Sequence, residues 1–313
     1  MSMTAERSVR LPVPFYELLD PDEGALRAAW PDDLHAGALD ALLSRPVPDD
    51  EPRPKLEAHG CYVVGLLVVP VVIAAEDRVY FQQVHLLLNE SRLVVVRKTP
   101  CDGAPFDLSA VRDACGHAYT ASVGMYAYRL VDEVADRYLV LVDDVIEEIE
   151  ELEEHVEDWS AAAVRKRLSD LRHDMLRIRR TLAPTRDAIR AVVDNRLEID
   201  DGELFPMEVE LHFRTAYDKL LRASEGIELA RDLVAGARDY YQAKVASDQN
   251  DVMQRFTAIA SILLVPTLIA GVYGQNLRGG PEETWAYGYW WSFALMIAAT
   301  LLQVVYFRRR RWI

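Results

Sequence analysis

The chain has 313 residues, a formal net charge of -15, and hydrophobic side chains at half of its positions. The acidic excess argues against a nucleic-acid partner, because a phosphate backbone requires a basic surface, and it is better suited to cations. Neither a GxxxxGK[ST] phosphate loop nor an HExxH zinc motif occurs, so no enzyme is indicated. The three cysteines form no CxxC pair, which argues against a disulfide framework or a zinc ribbon.

The first 205 residues are predicted to form an α+β cytoplasmic domain with an antiparallel-rich sheet flanked by helices. Three stretches rich in Val, Ile and Leu have strand character and are separated by polar residues typical of turns: 62–75, 79–88 and 92–98. Because the separations are short, consecutive antiparallel pairing is expected. The Pro- and Asp-rich sequence 46–54 is predicted to be a surface connection.

Two charged helices are predicted to follow the strands. In the first, residues 143–158 contain ten carboxylates in sixteen positions, with apolar residues at helical spacing. The second, at about 161–195, is rich in arginine. Two interpretations of these charges stay open. The commoner one is a pair of solvated faces joined by ion pairs between the helices, and the other is a dedicated metal-binding role.

A very long third helix is predicted to begin at Pro206, because proline is tolerated in the first turn. From Phe256 to Leu277 it has 22 residues without a charged side chain. At ~1.5 Å per residue this length spans a hydrocarbon core of roughly 30 Å. The predicted segments are a cytoplasmic stalk helix 206–255, a first transmembrane helix 256–276, an external loop 277–288, a second transmembrane helix 289–307 and a basic cytoplasmic tail 308–313.

The charges that flank this membrane hairpin predict its orientation. Four arginines at 308–311 follow the second span, and Lys244 and Arg255 precede the first. The connecting loop has one arginine beside Glu282 and Glu283. Since positive residues favour the cytoplasmic side, both termini are expected in the cytoplasm. The hairpin itself is expected to lie in the plasma or inner membrane.

A row of small or polar residues follows the third helix inward from the end of the first span. Steps of three and four residues give Gly274, Gly271, Thr267, Leu264, Ala260, Thr257, Met253, Asn250, Ala246, Ala243 and Asp239. We call these eleven residues the polar row. One interpretation is close helix packing, which small residues mediate in membranes. The other is a pore wall, in which Asn250 and Thr267 offer oxygens and Met253 and Leu264 form constrictions that gate by dewetting.

The outer end of the polar row favours the pore interpretation. Gly274, Gln275 and Asn276 lie where the first span ends, so a cation there would meet the negative end of the helix dipole, glycine backbone and an amide carbonyl. Magnesium dehydrates reluctantly, so uncharged oxygens that bind its water shell suit a selective entrance. Taken alone, the tripeptide is more typical of a simple helix C-terminal turn.

Residues 266–276, PTLIAGVYGQN, resemble the proline-led signature of the CorA family of divalent-cation channels, which ends in I-A-G-x-Y-G-M-N. The likeness covers nearly the whole chain and includes RPKLE at 53–57, RRTLAP at 179–184, NDVM at 250–253 and the basic tail. The resemblance implies a homopentameric funnel whose long stalk helix lines the pore and whose second span is peripheral. It also implies transport of magnesium, with cobalt and nickel, and closure by magnesium bound between cytoplasmic subunits through ligands that the sequence does not assign.

The resemblance further implies roles for individual residues. Gly274 and Asn276 would bind the hydrated ion, with Gln275 between them at the selectivity entrance. Asp239 would be a pore-facing acid near the inner gate. The other members of the polar row would line or gate the conduit: Asn250, Met253, Thr257, Leu264, Thr267 and Gly271.

Gln275 departs from the family signature, which has Met at this position. Its amide adds an oxygen that could alter selectivity, and relatives with altered signatures are associated with zinc. A zinc transporter is therefore one alternative, although no Cys or His lies on the polar row. A non-conducting membrane-anchored cation sensor is the other. An anchor would tolerate Leu at positions where this chain has polar residues.

Overall fold

The computed structural model describes residues 12–45, 53–73, 78–100, 104–117, 121–200, 202–275 and 286–313. The chain divides into two compact units, with the boundary between Ala237 and Arg238. The first unit contains a sheet and helices, and the second contains the two apolar segments. One helix, α6 (Met207–Tyr273), contributes residues to both units. The predicted surface connection at 46–54 lies largely outside the described residues.

The first unit contains a five-stranded mixed sheet in the order β1-β5-β4-β3-β2. Its strands are β1 (Phe15–Leu19), β2 (Lys55–His59), β3 (Tyr62–Ile73), β4 (Arg78–Asn89) and β5 (Arg92–Arg97). The antiparallel pairs β3–β4 and β4–β5 confirm the predicted strands and their consecutive pairing. Two strands were not identified from the sequence: β2 pairs antiparallel with β3, and β1 pairs parallel with β5.

Among the described residues, the helices before α6 are α1 (Glu23–Ala29), α2 (Ala36–Leu43), α3 (Ser109–Gly116), α4 (Val123–His155) and α5 (Ala161–Val193). The two long ones begin at serine N-caps. Ser122 Oγ accepts a hydrogen bond from the Met125 amide, and Ser160 Oγ accepts one from the Ala163 amide. Each serine satisfies an amide that has no partner within its helix. The charged helices predicted from the sequence are therefore confirmed.

The sheet is buried on both faces. Val94 and Val96 of β5 pack in one cluster with Leu26 of α1 and Leu42 of α2. Adjacent strand residues point to opposite faces, and Val95 between them is also 0% exposed. On β3, the carbonyl of Val68 accepts a hydrogen bond from the hydroxyl of Tyr138 in α4 at 3.0 Å. Helices on both faces therefore enclose an apolar sheet, as expected for the α+β class.

Ion pairs join α4 to its neighbouring helices in the first unit. Arg167 of α5 contacts Glu148 of the acidic segment at 2.8 Å. Lys219 of α6 contacts Asp132 at 2.7 Å and Asp136 at 2.8 Å. These contacts accord with the interpretation of the charge runs as faces joined by ion pairs between helices.

Helices α6 and α7 (Gly288–Arg309) are both long and apolar enough to cross a membrane. α6 begins one residue after the predicted start and continues without interruption for 67 residues, with Pro266 inside it. Little of the apolar segment of either helix is buried within the described chain. The expected order of an α+β domain, a very long helix and a second apolar helix is confirmed.

Candidate functional site

The polar row lies along α6, from Asp239 to the turn that follows Tyr273. All eleven of its members are exposed in the single chain. Met253 is 65% exposed and Leu264 is 67% exposed, although both are apolar. The structure therefore places the predicted pore residues on one open face of one helix. It does not bring them together in a closed site within one chain.

A different side of the first span is covered. Ala258 is 0% exposed, and Ile262, Val265 and Ile269 are partly buried. At 100° per residue these four positions lie roughly 150° around the helix from the polar row. The amide Nε2 of Gln303 in α7 donates to the carbonyl of Ser261, on the same flank, at 3.2 Å. The contact with α7 therefore leaves the polar row uncovered.

Two threonines in the polar row offer acceptor oxygens. Thr257 Oγ1 donates its hydrogen to the Met253 carbonyl at 2.8 Å, and Thr267 Oγ1 donates to the Leu263 carbonyl at 2.7 Å. Because each hydroxyl hydrogen is used within the helix, the oxygen lone pairs stay available to accept hydrogen bonds. Such an oxygen suits the water shell of a cation.

The first span ends in a tight turn at Gly274. Its amide donates to the Ala270 carbonyl at 2.9 Å, and the amide of Gln275 donates to the Val272 carbonyl at 3.4 Å. A Cβ atom at Gly274 would lie 3.0 Å from the Ala270 carbonyl oxygen, so glycine permits the close approach of the backbone. Gln275 is exposed. Asn276 lies outside the described residues, together with residues 277–285 of the predicted external loop.

The acidic segment of α4 was the other candidate cation site. Within the described residues of one chain, no three His, Cys, Asp or Glu side chains are arranged so that they could hold a metal ion. Glu148 of this segment contacts Arg167 instead. Asp239, the predicted pore-facing acid, is exposed on α6.

Sequence reasoning did not single out Gln303, which links the two apolar helices. The signal was present, because a carboxamide stands within an otherwise apolar run, where polar side chains commonly bond to a neighbouring helix. It also missed Lys219, whose partners are more than 80 residues away along the chain.

Solved structures share this arrangement of elements. The complete CorA magnesium transporter from Methanocaldococcus jannaschii superposes with a TM-score of 0.75 at 19% identity, over 96% of this chain and 91% of that one. The full-length CmaX protein superposes with a TM-score of 0.70 at 21% identity, over 99% and 92%. At these identities the likeness shows a common fold.

Sequence comparison extends the likeness to the family. The cobalt/magnesium transport protein CorA of Thermotoga maritima is 28% identical over 261 residues, which cover 83% of this chain and 73% of that protein. A putative metal ion transporter of Bacillus subtilis, YfjQ, is 32% identical over 189 residues, 60% of this chain and 58% of its own. The family model described as "CorA-like Mg2+ transporter protein" matches residues 34–309. The chain therefore belongs to the CorA-like Mg2+ transporter family.

Proposed function

We propose that this chain forms a membrane channel through which magnesium enters the cell, with cobalt and nickel as further substrates. The observation that carries the proposal is the polar row: it is exposed from Asp239 to Gly274, while a different side of the same span is covered. The relative from Thermotoga maritima is named as a cobalt/magnesium transport protein, which supports these ions. We place both termini in the cytoplasm because of the arginines that follow α7.

The conduit requires several copies of the chain, because two helices cannot enclose a pathway. We propose a homopentamer in which five polar rows face a common axis and α7 lies at the periphery. This arrangement would expose the polar side chains of Asn250, Thr257 and Thr267 to water. Contact of these side chains with lipid would be unfavourable. It would also bring five Leu264 and five Met253 side chains into rings that can close the pore by dewetting.

The entrance lies at Gly274, Gln275 and Asn276 in this proposal. The last carbonyls of α6 carry the negative end of the helix dipole, and Gly274 keeps the backbone accessible. These uncharged groups would bind magnesium through its water shell, because magnesium gives up its water reluctantly. Gln275, exposed beside Gly274, would add an amide to the same ring.

Transport needs no ATP in this proposal. A divalent ion that moves inward gains ~4.6 kcal/mol per 100 mV of inside-negative potential, twice the value for a single charge. If the channel stayed open, this driving force would accumulate magnesium in the cell. We propose that magnesium bound between the cytoplasmic parts of neighbouring subunits closes the conduit near Asp239, Asn250 and Met253.

Magnesium uptake into liposomes that contain the purified protein tests the proposal. A magnesium-sensitive dye inside the vesicles reports uptake after an inside-negative potential is imposed. Asn276→Ala should lower the uptake rate at least about tenfold, because it removes an acceptor from every copy of the entrance. Thr300→Val is the matched control, since among the described residues the Thr300 hydroxyl donates to the Met296 carbonyl of its own helix.

The other outcomes separate the alternatives. Zinc flux that follows a pH gradient, without magnesium uptake, would favour a zinc transporter. The absence of flux for every divalent ion would favour the cation sensor. Equal magnesium uptake by the wild type and Asn276→Ala would contradict the proposed entrance.

A further inference from the structure

We infer that Gln303 is a positioning residue for ion passage, since its carboxamide holds the first span in the rotation that keeps the polar row uncovered. The inference rests on the proposed channel function. Gln303 belongs to α7, and among the described residues it forms no hydrogen bond to the polar row or to Gln275, so it would act through α6.

The contact of Gln303 with the first span is polar within an apolar segment. Its Nε2 donates to the Ser261 carbonyl at 3.2 Å. Its Oε1 is buried and has no hydrogen-bond partner among the described residues. In a bilayer core a carboxamide is costly unless it bonds to protein, so the tie to Ser261 favours one relative placement of the two helices.

Pro266 explains why a donor is useful at this level of α6. Proline has no amide hydrogen, so the helical donor for the Ile262 carbonyl, four residues earlier, is missing. Spanning helices tolerate proline where a neighbouring helix can satisfy the freed group. Gln303 Nε2 carries two hydrogens and already bonds to Ser261, the residue next to Ile262. Gln303 therefore contacts the first span at the level where Pro266 interrupts the backbone hydrogen bonds of the helix. A helix bends most easily at such a position.

The docking determines which side of the first span is covered. Val265 is partly buried, whereas Leu264, its neighbour in the polar row, is 67% exposed. The two side chains are 100° apart around the helix. A rotation of α6 by about 100° would bring Leu264 to the place that Val265 occupies and would turn the polar row toward the covered side. The bond from Gln303 opposes such a rotation because it reaches one flank only.

The hydroxyls of Thr300 and Ser292 in α7 do not provide a comparable bond to α6. Thr300 Oγ1 donates to the Met296 carbonyl at 2.8 Å, and Ser292 Oγ donates to the Tyr289 carbonyl at 2.9 Å. Both hydrogen bonds stay within α7. Thr300→Val therefore removes a polar atom from the same helix without removing a bond to α6.

The test measures which side of the first span is reachable from water. In a chain whose native cysteines are replaced, either Leu264→Cys or Val265→Cys is introduced, and the labelling rate with a membrane-impermeant thiol reagent is measured in the reconstituted protein. Because buried thiols are inert, we expect Leu264→Cys to react at least about tenfold faster than Val265→Cys. Gln303→Met should reduce this ratio severalfold, whereas Thr300→Val should leave it unchanged.

Magnesium uptake is measured in parallel on chains that keep their native cysteines. Gln303→Met should lower the maximal uptake rate without a matching change in the half-saturating magnesium concentration, because the entrance is untouched. An apolar substitution in a spanning helix favours insertion, so loss of the protein is not expected. A wild type that takes up no magnesium refutes the channel. If wild type and Thr300→Val conduct, and Gln303→Met matches them in both uptake and labelling ratio, the positioning role is overturned.

Discussion

Acid should destabilise the first unit through His85, a histidine on β4 that is 4% exposed. Burial and, to a lesser degree, the nearby charge of Lys98 lower the pKa of His85 from its ordinary 6.5 to about 4. Its Nε2 is buried without a hydrogen-bond partner among the described residues. The imidazole of His85 is therefore harder to protonate in the folded chain than in the unfolded chain, where its pKa has the ordinary value.

The size of the effect follows from the two pKa values of His85, one in the folded chain and one in the unfolded chain. A difference of one between them corresponds to about 1.4 kcal/mol, so protonation of His85 at low pH should cost about 3 kcal/mol of folding free energy. Because the pKa of His85 is lower in the folded chain than in the unfolded chain, the free energy of unfolding is unaffected by protonation of His85 well above pH 6.5. It decreases as the pH falls toward 4. The loss should be about 1.4 kcal/mol at pH 5.5 and about 2.5 kcal/mol at pH 4.5.

Thermal unfolding of the intact protein in detergent measures this loss between pH 7.5 and 4.5. For a unit of this size, about 2.5 kcal/mol corresponds to a Tm change of roughly 5–10 °C. Other groups also titrate in this range, so the relevant quantity is the Tm of His85→Leu minus the Tm of the wild type. This difference should be roughly 5–10 °C larger at pH 4.5 than at pH 7.5. Exposed His173→Gln is the control. A difference between wild type and His85→Leu that is constant with pH would refute the reasoning.

Two further predictions concern the packing of α6 on α4. Lys219→Met should destabilise the first unit by about 2 kcal/mol, because it leaves the carboxylate of Asp132, whose side chain is 18% exposed, without its cation. Adding Asp132→Asn and Asp136→Asn to the Lys219→Met variant should recover part of the lost Tm. Burial alone would lower the pKa of Lys219, but its bonds to both carboxylates raise it on balance, so this contribution should be lost only as the pH rises through the raised pKa, above the ordinary 10.5. Gly226→Ala should cost about 1–3 kcal/mol, since its Cβ would lie 2.6 Å from Val142 Cγ1, and adding Val142→Ala should restore the Tm. Unchanged melting of either single variant would contradict the corresponding contact.

The elements that could be predicted are those with a strong local pattern. The three apolar strands β3–β5 and the long helices α4–α7 have the required periodicity and length within their own segments. The strands β1 and β2 are only five residues long and contain charged residues. Their partners determine them, and the partner of β1 is about 80 residues away. No window of sequence holds that information.

The candidate site shows the same division. The positions of the polar row and of Gly274 and Gln275 follow from counting along one helix, and their proposed roles come from the family signature. Counting does not reveal which side of that helix a neighbour covers, so close packing and a pore wall both stayed possible. The tertiary structure placed Ala258 on the covered side and left Leu264 exposed.

The sequence by itself determined the two apolar helices, the long continuous helix that contains the first of them, and the family, because these depend on runs of residues and on a local signature. Only the tertiary structure decided the parallel pairing of β1 with β5, the contact of Lys219 with two aspartates, and the bond from Gln303 to Ser261. The physical reason is that each of these contacts joins residues far apart in the chain. Their geometry exists only once the intervening segments have folded.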